Sequence, residues 1–259
     1  MLMANNEYHP EPYWSQVAEE VAAREGTNVI AGDDEPYYVY KRQRFLELLH
    51  ELPLEGKHIL EIGPGPGGNL LEISKRAPGR LAGADISAEM LKIAGSRVPK
   101  TVDLVKTDGT SLPFDDREFD LVFSATVLQH NSDDGMMRQM AGEMARVSRN
   151  EVVLFEQVNN RISGDELMRA RPINYYASIM EEYGYVLADH KMIDIVASYY
   201  VSGAIRKALN PATRKEGEPL TPLSLAMQKA TLPVTKLLDK VIKAEKDLAR
   251  MRFVRKHSS

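Results

Sequence analysis

The stretch ILEIGPGPGGN, residues 59–69, joins an apolar run to a loop that holds four glycines and two prolines. Its glycines match the dinucleotide-binding spacing G-x-G-x-x-G at Gly63, Gly65 and Gly68. Two features argue against a pyrophosphate. Pro64 and Pro66 have no backbone N–H to donate to phosphate oxygens, and the carboxylate of Glu61 would repel an anion. The loop is therefore better suited to a cationic ligand without phosphate.

Two further acids follow later apolar runs. Asp85 ends the run LAGAD, eighteen residues after Gly67, where a carboxylate can accept from both hydroxyls of a ribose. Asp108 follows VDLVK in the stretch TDGTSLPF, where it can accept from an adenine amino group. A nucleoside that carries an ammonium and a sulfonium satisfies all three acids, and S-adenosylmethionine is such a ligand.

Short apolar runs alternate with helical patterns over the residues that carry these acids. The runs are KHILEI, LAGAD, VDLVK, FDLVFS and EVVLFEQ, and the helical segments include residues 69–76, 87–96 and 134–147. Such alternation predicts an α/β fold with a doubly wound, mostly parallel sheet. The ligand crevice should lie at the carboxyl ends of its strands.

The flanking segments are predicted to be mainly helical. Residues 11–24 and 36–49 show amphipathic helical patterns around a polar loop, and residues 174–183 predict another helix. The stretch HKMIDIVASYYV predicts a sixth strand, and residues 210–222 predict a loop. Residues 223–248 have helical spacing in which Pro233 is expected to start a new helix. Finally, ARMRFVRK alternates like a half-buried strand.

Residues 57–157 resemble the core of the class I S-adenosylmethionine-dependent methyltransferases. LEIGPGPGGN resembles their glycine motif, GADIS their ribose acid, TDGTSLPF their adenine motif and FDLVFSATVLQHNSD their fourth motif. The resemblance implies a Rossmann-like, seven-stranded sheet whose last strand, ARMRFVRK, is antiparallel. It divides the chain into a helical lid at 1–52, a core at 53–202, a helical insert at 203–246 and the final strand with a tail at 247–259.

The same resemblance implies a set of cofactor-binding residues and the transfer of the sulfonium methyl group. Ser124 and Ala125 inherit a backbone role near the methionine moiety, while Tyr38 and Lys41 lie in the expected lid, where ordinary packing is the alternative. Trp14 is interpreted as a packing anchor of the first helix. The full expected set is Glu61, Gly63, Gly65, Gly67, Asn69, Asp85, Ile86, Asp108, Gly109, Ser124, Ala125, Tyr38 and Lys41.

Two residues are candidates for catalysis by proton transfer. His130, in VLQHNSDD, follows the fourth run, where the acceptor must approach, and its reference pKa of about 6.5 suits a general base. Glu156, at the end of the fifth run, could be a base, orient His130 or bind acceptor hydroxyls. A role in shaping the pocket is the alternative for His130, and a loop hydrogen bond is the alternative for Glu156.

A divalent metal is not favoured. Asp133 and Asp134 lie near His130 and could bind a metal that holds vicinal hydroxyls, but helix capping explains the same residues. We therefore expect S-adenosylmethionine as the cofactor and no metal ligands.

The flanks are similar to methyltransferases that act on sugars of polysaccharides, glycolipids or glycosylated metabolites. This likeness predicts O-methylation of a sugar hydroxyl. An N-methyltransferase acting on an amino sugar or another amine, and a non-catalytic S-adenosylmethionine-binding protein, remain alternatives. ATVLQH, rather than a tetrapeptide such as NPPY, follows FDLVFS, which argues against methylation of nucleic-acid bases or amides.

Composition narrows the class of protein further. The 259 residues include no cysteine, which excludes disulfides and thiolate sites, and the net charge of −4 argues against a nucleic-acid partner. No apolar run of membrane-spanning length or signal peptide is evident, so the chain is expected in the cytoplasm. Residues 229–257 hold nine basic and three acidic residues, which leaves open a peripheral contact with anionic lipid. A homo-oligomer is also left open.

Overall fold

The structure is a computed structural model that describes residues 9–22, 35–131, 133–213 and 220–256. The polar loop predicted between the first two helices lies largely outside these residues. The described helices are α1 (Pro10–Ala22), α2 (Pro36–His50), α3 (Gly68–Ser74), α4 (Ala88–Arg97), α5 (Asp134–Val147), α6 (Ile173–Glu182), α7 (Val196–Leu209) and α8 (Pro222–Asp239).

Seven strands form the central sheet in the order β3-β2-β1-β4-β5-β9-β8. They are β1 (His58–Ile62), β2 (Arg80–Asp85), β3 (Asp103–Lys106), β4 (Phe119–Ala125), β5 (Ser148–Val158), β8 (Tyr185–Met192) and β9 (Asp247–Arg255). β9 runs antiparallel to both β5 and β8, while β1 to β5 pair in parallel. The prediction of a doubly wound, seven-stranded sheet with an antiparallel last strand is confirmed.

The central strands are apolar on both faces because helices cover both faces of the sheet. In β1, Leu60 and Ile62 pack in one layer with methionines of α5, whereas Ile59 packs in the other layer with residues of α2 and α3. Successive side chains of a strand point to opposite faces. β1 therefore contributes apolar side chains to two separate cores.

A small hairpin and a single helical turn lie between the main elements. The hairpin pairs β6 (Ser163–Gly164) with β7 (Arg169–Ala170), and the 3₁₀ turn spans Leu128–His130 after β4. Because the 3₁₀ turn follows the last residue of β4, which runs parallel to β1 and β5, it lies at the carboxyl edge, where the sequence places the ligand crevice.

The sixth strand predicted at HKMIDIVASYYV, residues 190–201, overlaps the observed strand only at residues 190–192 and is wrong beyond them. The strand β8 ends at Met192, and α7 begins at Val196. Asp239 accepts hydrogen bonds at its Oδ1 from the backbone N–H of Ala197, at 2.7 Å, and of Ser198, at 3.3 Å. A carboxylate distant in sequence thus caps this helix, and the expected insert boundary at residue 203 falls inside α7.

The expectation that Pro233 starts a new helix is also wrong. α8 is continuous from Pro222, where Thr221 accepts from the N–H of Ser224 at 3.2 Å and caps the first turn. Pro233 lies on the exposed side of the helix, so the carbonyl that loses its intrahelical partner can face water. The helical spacing does not extend to Leu248, which belongs to β9.

Candidate functional site

The glycine loop after β1 depends on backbone conformations that favour glycine. Gly63, Gly65 and Gly67 have φ values of +64°, +50° and +84°, which are strained for other L residues. At Gly63 a side chain would also collide with the loop after β4, since an added Cβ would lie 2.5 Å from Cγ2 of Val127. The glycine loop and the loop after β4 are therefore in direct contact.

Glu61 presents a buried acceptor that has no protein partner. Its side chain is 1% exposed, and its Oε1 accepts from Nδ2 of Asn69 at 2.6 Å. Its Oε2 is buried and bonds to none of the described residues. Burial raises the pKa of Glu61 to about 8, against the opposing effects of Asn69 and Arg42. A cationic donor at Oε2 would satisfy this atom, as the ammonium of S-adenosylmethionine would.

Asp85 organises the loops at the end of β2. Its Oδ2 accepts from the N–H of Gly65 at 3.0 Å, and its Oδ1 accepts from the N–H of Ser87 at 2.9 Å. Burial raises the pKa of Asp85, while these backbone bonds act in the opposite direction. Each carboxylate oxygen keeps a second lone pair, so the ribose-binding role remains a prediction compatible with the geometry.

Asp108 lies in an exposed turn after β3. It accepts from the N–H of Thr110 and of Ser111, each at 2.8 Å, and these bonds lower the pKa of Asp108 to about 2. The side chain is therefore held as an anion. Ile86 and Gly109 bring the two neighbouring loops together, because a Cβ on Gly109 would lie 2.8 Å from Cδ1 of Ile86.

Helix α1 crosses the same edge of the sheet. Ser15 donates to Glu89, at the start of α4, at 2.7 Å. The ring of Trp14 meets that of His130 edge-on, with centroids 4.9 Å apart. α1 thus bridges the loops after β2 and β4. Trp14, interpreted from sequence as a packing anchor, is only partly buried and contacts the candidate base.

Tyr38 and Lys41 lie on α2, but their described contacts are away from the glycine loop. The guanidinium of Arg206 stacks on the Tyr38 ring at 5.3 Å, and Lys41 pairs with Asp247 at 3.3 Å. Their cofactor-binding role stays a prediction.

The α2 side chain that reaches the glycine loop is Arg42, which donates to Oδ1 of Asn69. Asn69 in turn donates to Glu61, so Arg42 extends the polar group around the unpartnered carboxylate oxygen. Arg42 is not among the site residues predicted from the sequence. The only signal was its position on the predicted helix, immediately after Lys41.

Glu156 caps the turn that carries His130. It is completely buried, and its Oε1 accepts from Oγ of Ser124 at 2.8 Å. It also accepts from the backbone N–H groups of Val127, Leu128 and Gln129 at 3.1–3.2 Å. These contacts favour the loop hydrogen bond over proton transfer for Glu156, since a helical turn leaves its first N–H groups without partners. Ala125, the last residue of β4, is half-buried beside this turn.

Arg171 holds the other end of the same turn and was not found from the sequence. It is completely buried and donates to the carbonyl oxygens of Leu128, at 3.2 Å, and Asn131, at 2.6 Å. An acid at the first N–H groups and an arginine at the last carbonyls match the dipole of the turn. No local motif marks such a residue.

His130 is held in one tautomer. Its Nδ1 lies 2.6 Å from the carbonyl oxygen of Leu167, which can only accept, so Nδ1 carries the proton. Gln129 accepts at Oε1 from the N–H of Gln157, which directs its amide nitrogen towards Nε2 of His130 at 3.3 Å. Nε2 is therefore an acceptor. Burial lowers the pKa of His130, against the opposing effect of the Leu167 bond, and so favours the neutral ring.

The two acids near His130 have structural partners. Asp133 caps α5 by accepting from the N–H of Met136 at 2.9 Å, and Asp134 pairs with Arg171 at 3.1 Å. Across the part of the chain that the structure describes, no group of three or more His, Asp or Glu side chains is arranged to hold a metal ion.

The family model described as a methyltransferase domain matches residues 59–151. Among curated proteins, the chain is 26% identical over 129 residues to ajmaline N-methyltransferase of Rauvolfia serpentina, covering 47% of this chain and 43% of that protein. It is 28% identical over 136 residues to the O-methyltransferase cnsE of Penicillium expansum, covering 50% and 47%. The matches thus span less than half the length of these relatives.

Solved structures share the fold. Magnesium protoporphyrin IX methyltransferase from Synechocystis PCC 6803, with bound S-adenosylhomocysteine, has a TM-score of 0.59 and 11% identity, covering 95% of this chain and 98% of that chain. The [4+2]-cyclase SpnF has a TM-score of 0.59 and 17% identity, covering 84% and 82%. Residues 59–151 thus match a methyltransferase domain, and the sheet around them has the seven strands and the antiparallel last strand that the resemblance to class I S-adenosylmethionine-dependent methyltransferases implies.

Proposed function

We propose that this chain transfers the methyl group of S-adenosylmethionine to a hydroxyl of a small molecule, and that the hydroxyl belongs to a sugar in a glycan, glycolipid or glycosylated metabolite. The observation that carries the O-methylation proposal is the state of His130. Its Nδ1 proton is committed to the Leu167 carbonyl, so Nε2 is the acceptor nitrogen, and an acceptor hydroxyl would take the place of the Gln129 amide that lies 3.3 Å from it.

Three acids of this chain and two residues beside them are proposed to hold the cofactor. Glu61 would accept from its ammonium at the unpartnered Oε2, and Asp85 would accept from the ribose hydroxyls. Asp108 would accept from the adenine amino group, with Ile86 and Gly109 beside the ring. When bound, the cofactor supplies an electrophilic methyl group with a neutral thioether leaving group.

Alignment of donor and acceptor is expected to supply much of the rate. Effective molarities of well-oriented reactants correspond to about 7–11 kcal/mol of barrier. The contact between Gly63 and Val127 holds the glycine loop against the loop after β4. Helix α1 covers the same carboxyl edge of the sheet through Trp14 and Ser15. These contacts support a preorganised and partly enclosed site.

His130 is proposed to remove the acceptor proton through Nε2. With its pKa lowered by burial, the ring is neutral at pH 7 and ready to accept. Such a base typically contributes about 10²–10⁴-fold. Glu156 and Arg171 would act as positioning residues, because they bond to the backbone of the turn rather than to the reacting atoms.

The sugar acceptor is supported by the resemblance of the flanks to sugar-acting methyltransferases. An amine acceptor is the second candidate, favoured by the similarity to an N-methyltransferase. An amine needs only to be neutral to attack, so it makes no demand on His130. The two candidates therefore predict different behaviour of the same residue.

Release of S-adenosylhomocysteine, measured with panels of sugar and amine acceptors at several pH values, tests the proposal. We expect turnover of a hydroxyl acceptor, with a large loss for His130→Gln and no change for the exposed control His190→Gln. Turnover confined to amines with His130→Gln fully active would overturn the O-methylation proposal. Calorimetry without detectable binding of S-adenosylmethionine would overturn the enzymatic one.

A further inference from the structure

Helix α8 buries a polar stripe. Its buried side chains are Ser224, Gln228, Thr235 and Asp239. They lie against α7, whose own buried residues are Ser198 and Ser202. Ser198 Oγ hydrogen-bonds with Oγ1 of Thr235 at 2.9 Å and donates to Oδ2 of Asp239 at 2.5 Å. The interface of this helical hairpin is therefore polar on both sides.

The opposite side of α8 is apolar and exposed. Val234, Leu237 and Val241 are 63%, 64% and 75% exposed. We define the outer α8 face as Leu223, Met227, Val234, Leu237 and Leu238 of the helix together with Val241 and Ile242 of the turn that follows it, all of them exposed. At 1.5 Å per residue the helix is about 27 Å long. A continuous apolar face of this length on a protein surface marks an interaction site.

The residues beside this face are basic. Lys229 lies on α8 and Lys240 lies directly after it, while Lys236 is held over the Tyr40 ring and Lys243 pairs with Asp194 at 2.8 Å. The sequence between residues 222 and 243 contains one acid, Asp239, which is buried and bonded to α7. The neighbouring helix α7 exposes Tyr199 and Tyr200 at 48% and 60%. Tyrosine favours membrane–water interfaces because its ring is apolar and its hydroxyl is polar.

We propose that the outer α8 face docks in the plane of an anionic lipid bilayer, with its apolar side chains below the headgroups and its lysines among them. An apolar helix face with adjacent lysines is the pattern of interfacial helices that bind such surfaces. A second copy of the chain is less well matched, because it would bring the same lysines to the contact. Among the described residues, no helix is long and apolar enough to cross a membrane.

The docked helix would lie against the part of the molecule that contacts the glycine loop. The ammonium of Lys236 is 4.6 Å from the centre of the Tyr40 ring on α2, and Arg206 of α7 stacks on Tyr37 and Tyr38. α2 also carries Arg42, which donates to Asn69. A bilayer contact at α8 would therefore be one helix removed from the cofactor loop.

Co-sedimentation of the full chain with phosphatidylcholine vesicles, with and without phosphatidylglycerol, tests this proposal independently of turnover. We expect binding to the anionic vesicles, at least tenfold weaker for Val234→Asp/Leu237→Asp. Lys229→Gln/Lys240→Gln should lose the preference for anionic vesicles. Val186→Asp, an exposed apolar site on β8 (38% exposed), is the matched control and should bind as wild type does.

Three results would overturn the proposal. The first is a wild-type chain that stays in the supernatant with anionic vesicles. The second is vesicle binding that is unchanged in Val234→Asp/Leu237→Asp. The third is a wild-type dimer, detected by light scattering, that the same double substitution dissociates. The last result would show that a second copy covers the outer α8 face. Circular dichroism verifies folding, and Leu237→Ser provides a milder change if the double variant does not fold.

Discussion

Helices α5 and α8 bury opposite kinds of side chain. α5, with 14 residues, places Met137, Met140 and Met144 in the core beneath the sheet. α8, with 18 residues, places Ser224, Gln228 and Asp239 against α7 and leaves Val234, Leu237 and Leu238 exposed. Because apolar side chains gain free energy wherever they leave water, the comparison indicates that α5 has its partner within the chain and that α8 has one outside it.

The largest expected difference is the response of the two helices to a charge. Met144→Asp places an unpaired carboxylate in the core and should cost more than about 4 kcal/mol of the free energy of unfolding. Leu237→Asp, on the outer α8 face, should change it by less than about 0.5 kcal/mol. Urea unfolding followed by circular dichroism measures both values.

Equal losses for the two variants would contradict this comparison. They would mean that α8 is covered within the chain by residues outside the described ranges. Met144→Leu is a suitable control, since a hydrophobic substitution of similar volume should cost less than about 1.5 kcal/mol.

The second prediction concerns His130, on the 3₁₀ turn that precedes α5 in the chain. His130→Gln should lower kcat/KM for a hydroxyl acceptor by about 10²-fold or more, because the variant loses the base at Nε2. Since burial lowers the pKa of His130, wild-type activity should fall only as the pH drops below the ordinary histidine range. A wild-type profile that declines from a higher pH would assign the base to another group.

The third prediction tests the polar interior of the hairpin. Asp239→Ala removes the acceptor for the N–H groups of Ala197 and Ser198 and should cost about 1–2 kcal/mol, as for other helix caps. Hydrogen exchange should show the loss of protection concentrated in α7 and α8, with α5 unchanged. A uniform loss across the sheet would show that the hairpin unfolds together with the core.

The fourth prediction concerns Glu61, whose buried Oε2 bonds to none of the described residues. Glu61→Gln should weaken S-adenosylmethionine binding about tenfold, or about 1.4 kcal/mol. In the wild type, the pKa of Glu61 is raised from 4.5 to about 8. The folded state therefore retains a proton that the unfolded chain releases, and stability contributed by this group falls as the pH rises through that window.

Two measurements check this prediction for Glu61. Thermal unfolding measured against pH should show that the stability of Glu61→Gln rises relative to that of the wild type up to about pH 8. Calorimetry should show wild-type affinity for the cofactor rising over the same range, because the cation binds the carboxylate. A variant with wild-type affinity at every pH would remove Glu61 from the site.

The smallest effect is expected at Gln228, whose buried amide lies in the hairpin. Neither of its polar side-chain atoms bonds to a described residue. Gln228→Met keeps the shape and removes the unsatisfied amide, so it should raise the free energy of unfolding by about 1 kcal/mol. A loss of stability in urea unfolding would indicate that water or another group satisfies the amide.

The sequence predicted the elements whose signals are local. β1 to β5 are apolar runs bounded by turn residues, and α5 was predicted at its observed bounds because Asp133 caps a regular methionine periodicity. The start of α7 was missed because its cap, Asp239, is far along the chain and its own residues favour a strand. The polarity of the hairpin interface likewise depends on which faces meet.

The same distinction applies to the site. Glu61, Asp85 and Asp108 stand at strand ends, where motif spacing marks them, and the structure places each at the expected edge. Arg42 and Arg171 reach that edge from other elements and carry no motif. Glu156 stands at a strand end as well, but only its three backbone donors reveal that it caps the turn.

The close approach of Gly63 and Val127 has a mechanical consequence. Since a Cβ on Gly63 would lie 2.5 Å from the Val127 side chain, the loop proposed to bind the methyl donor and the loop proposed to face the acceptor are packed directly against each other. The two loops follow adjacent strands, β1 and β4, so the pairing of these strands fixes the distance between the loops. A bulkier residue at position 63 would misalign both reactants together, even where each still bound.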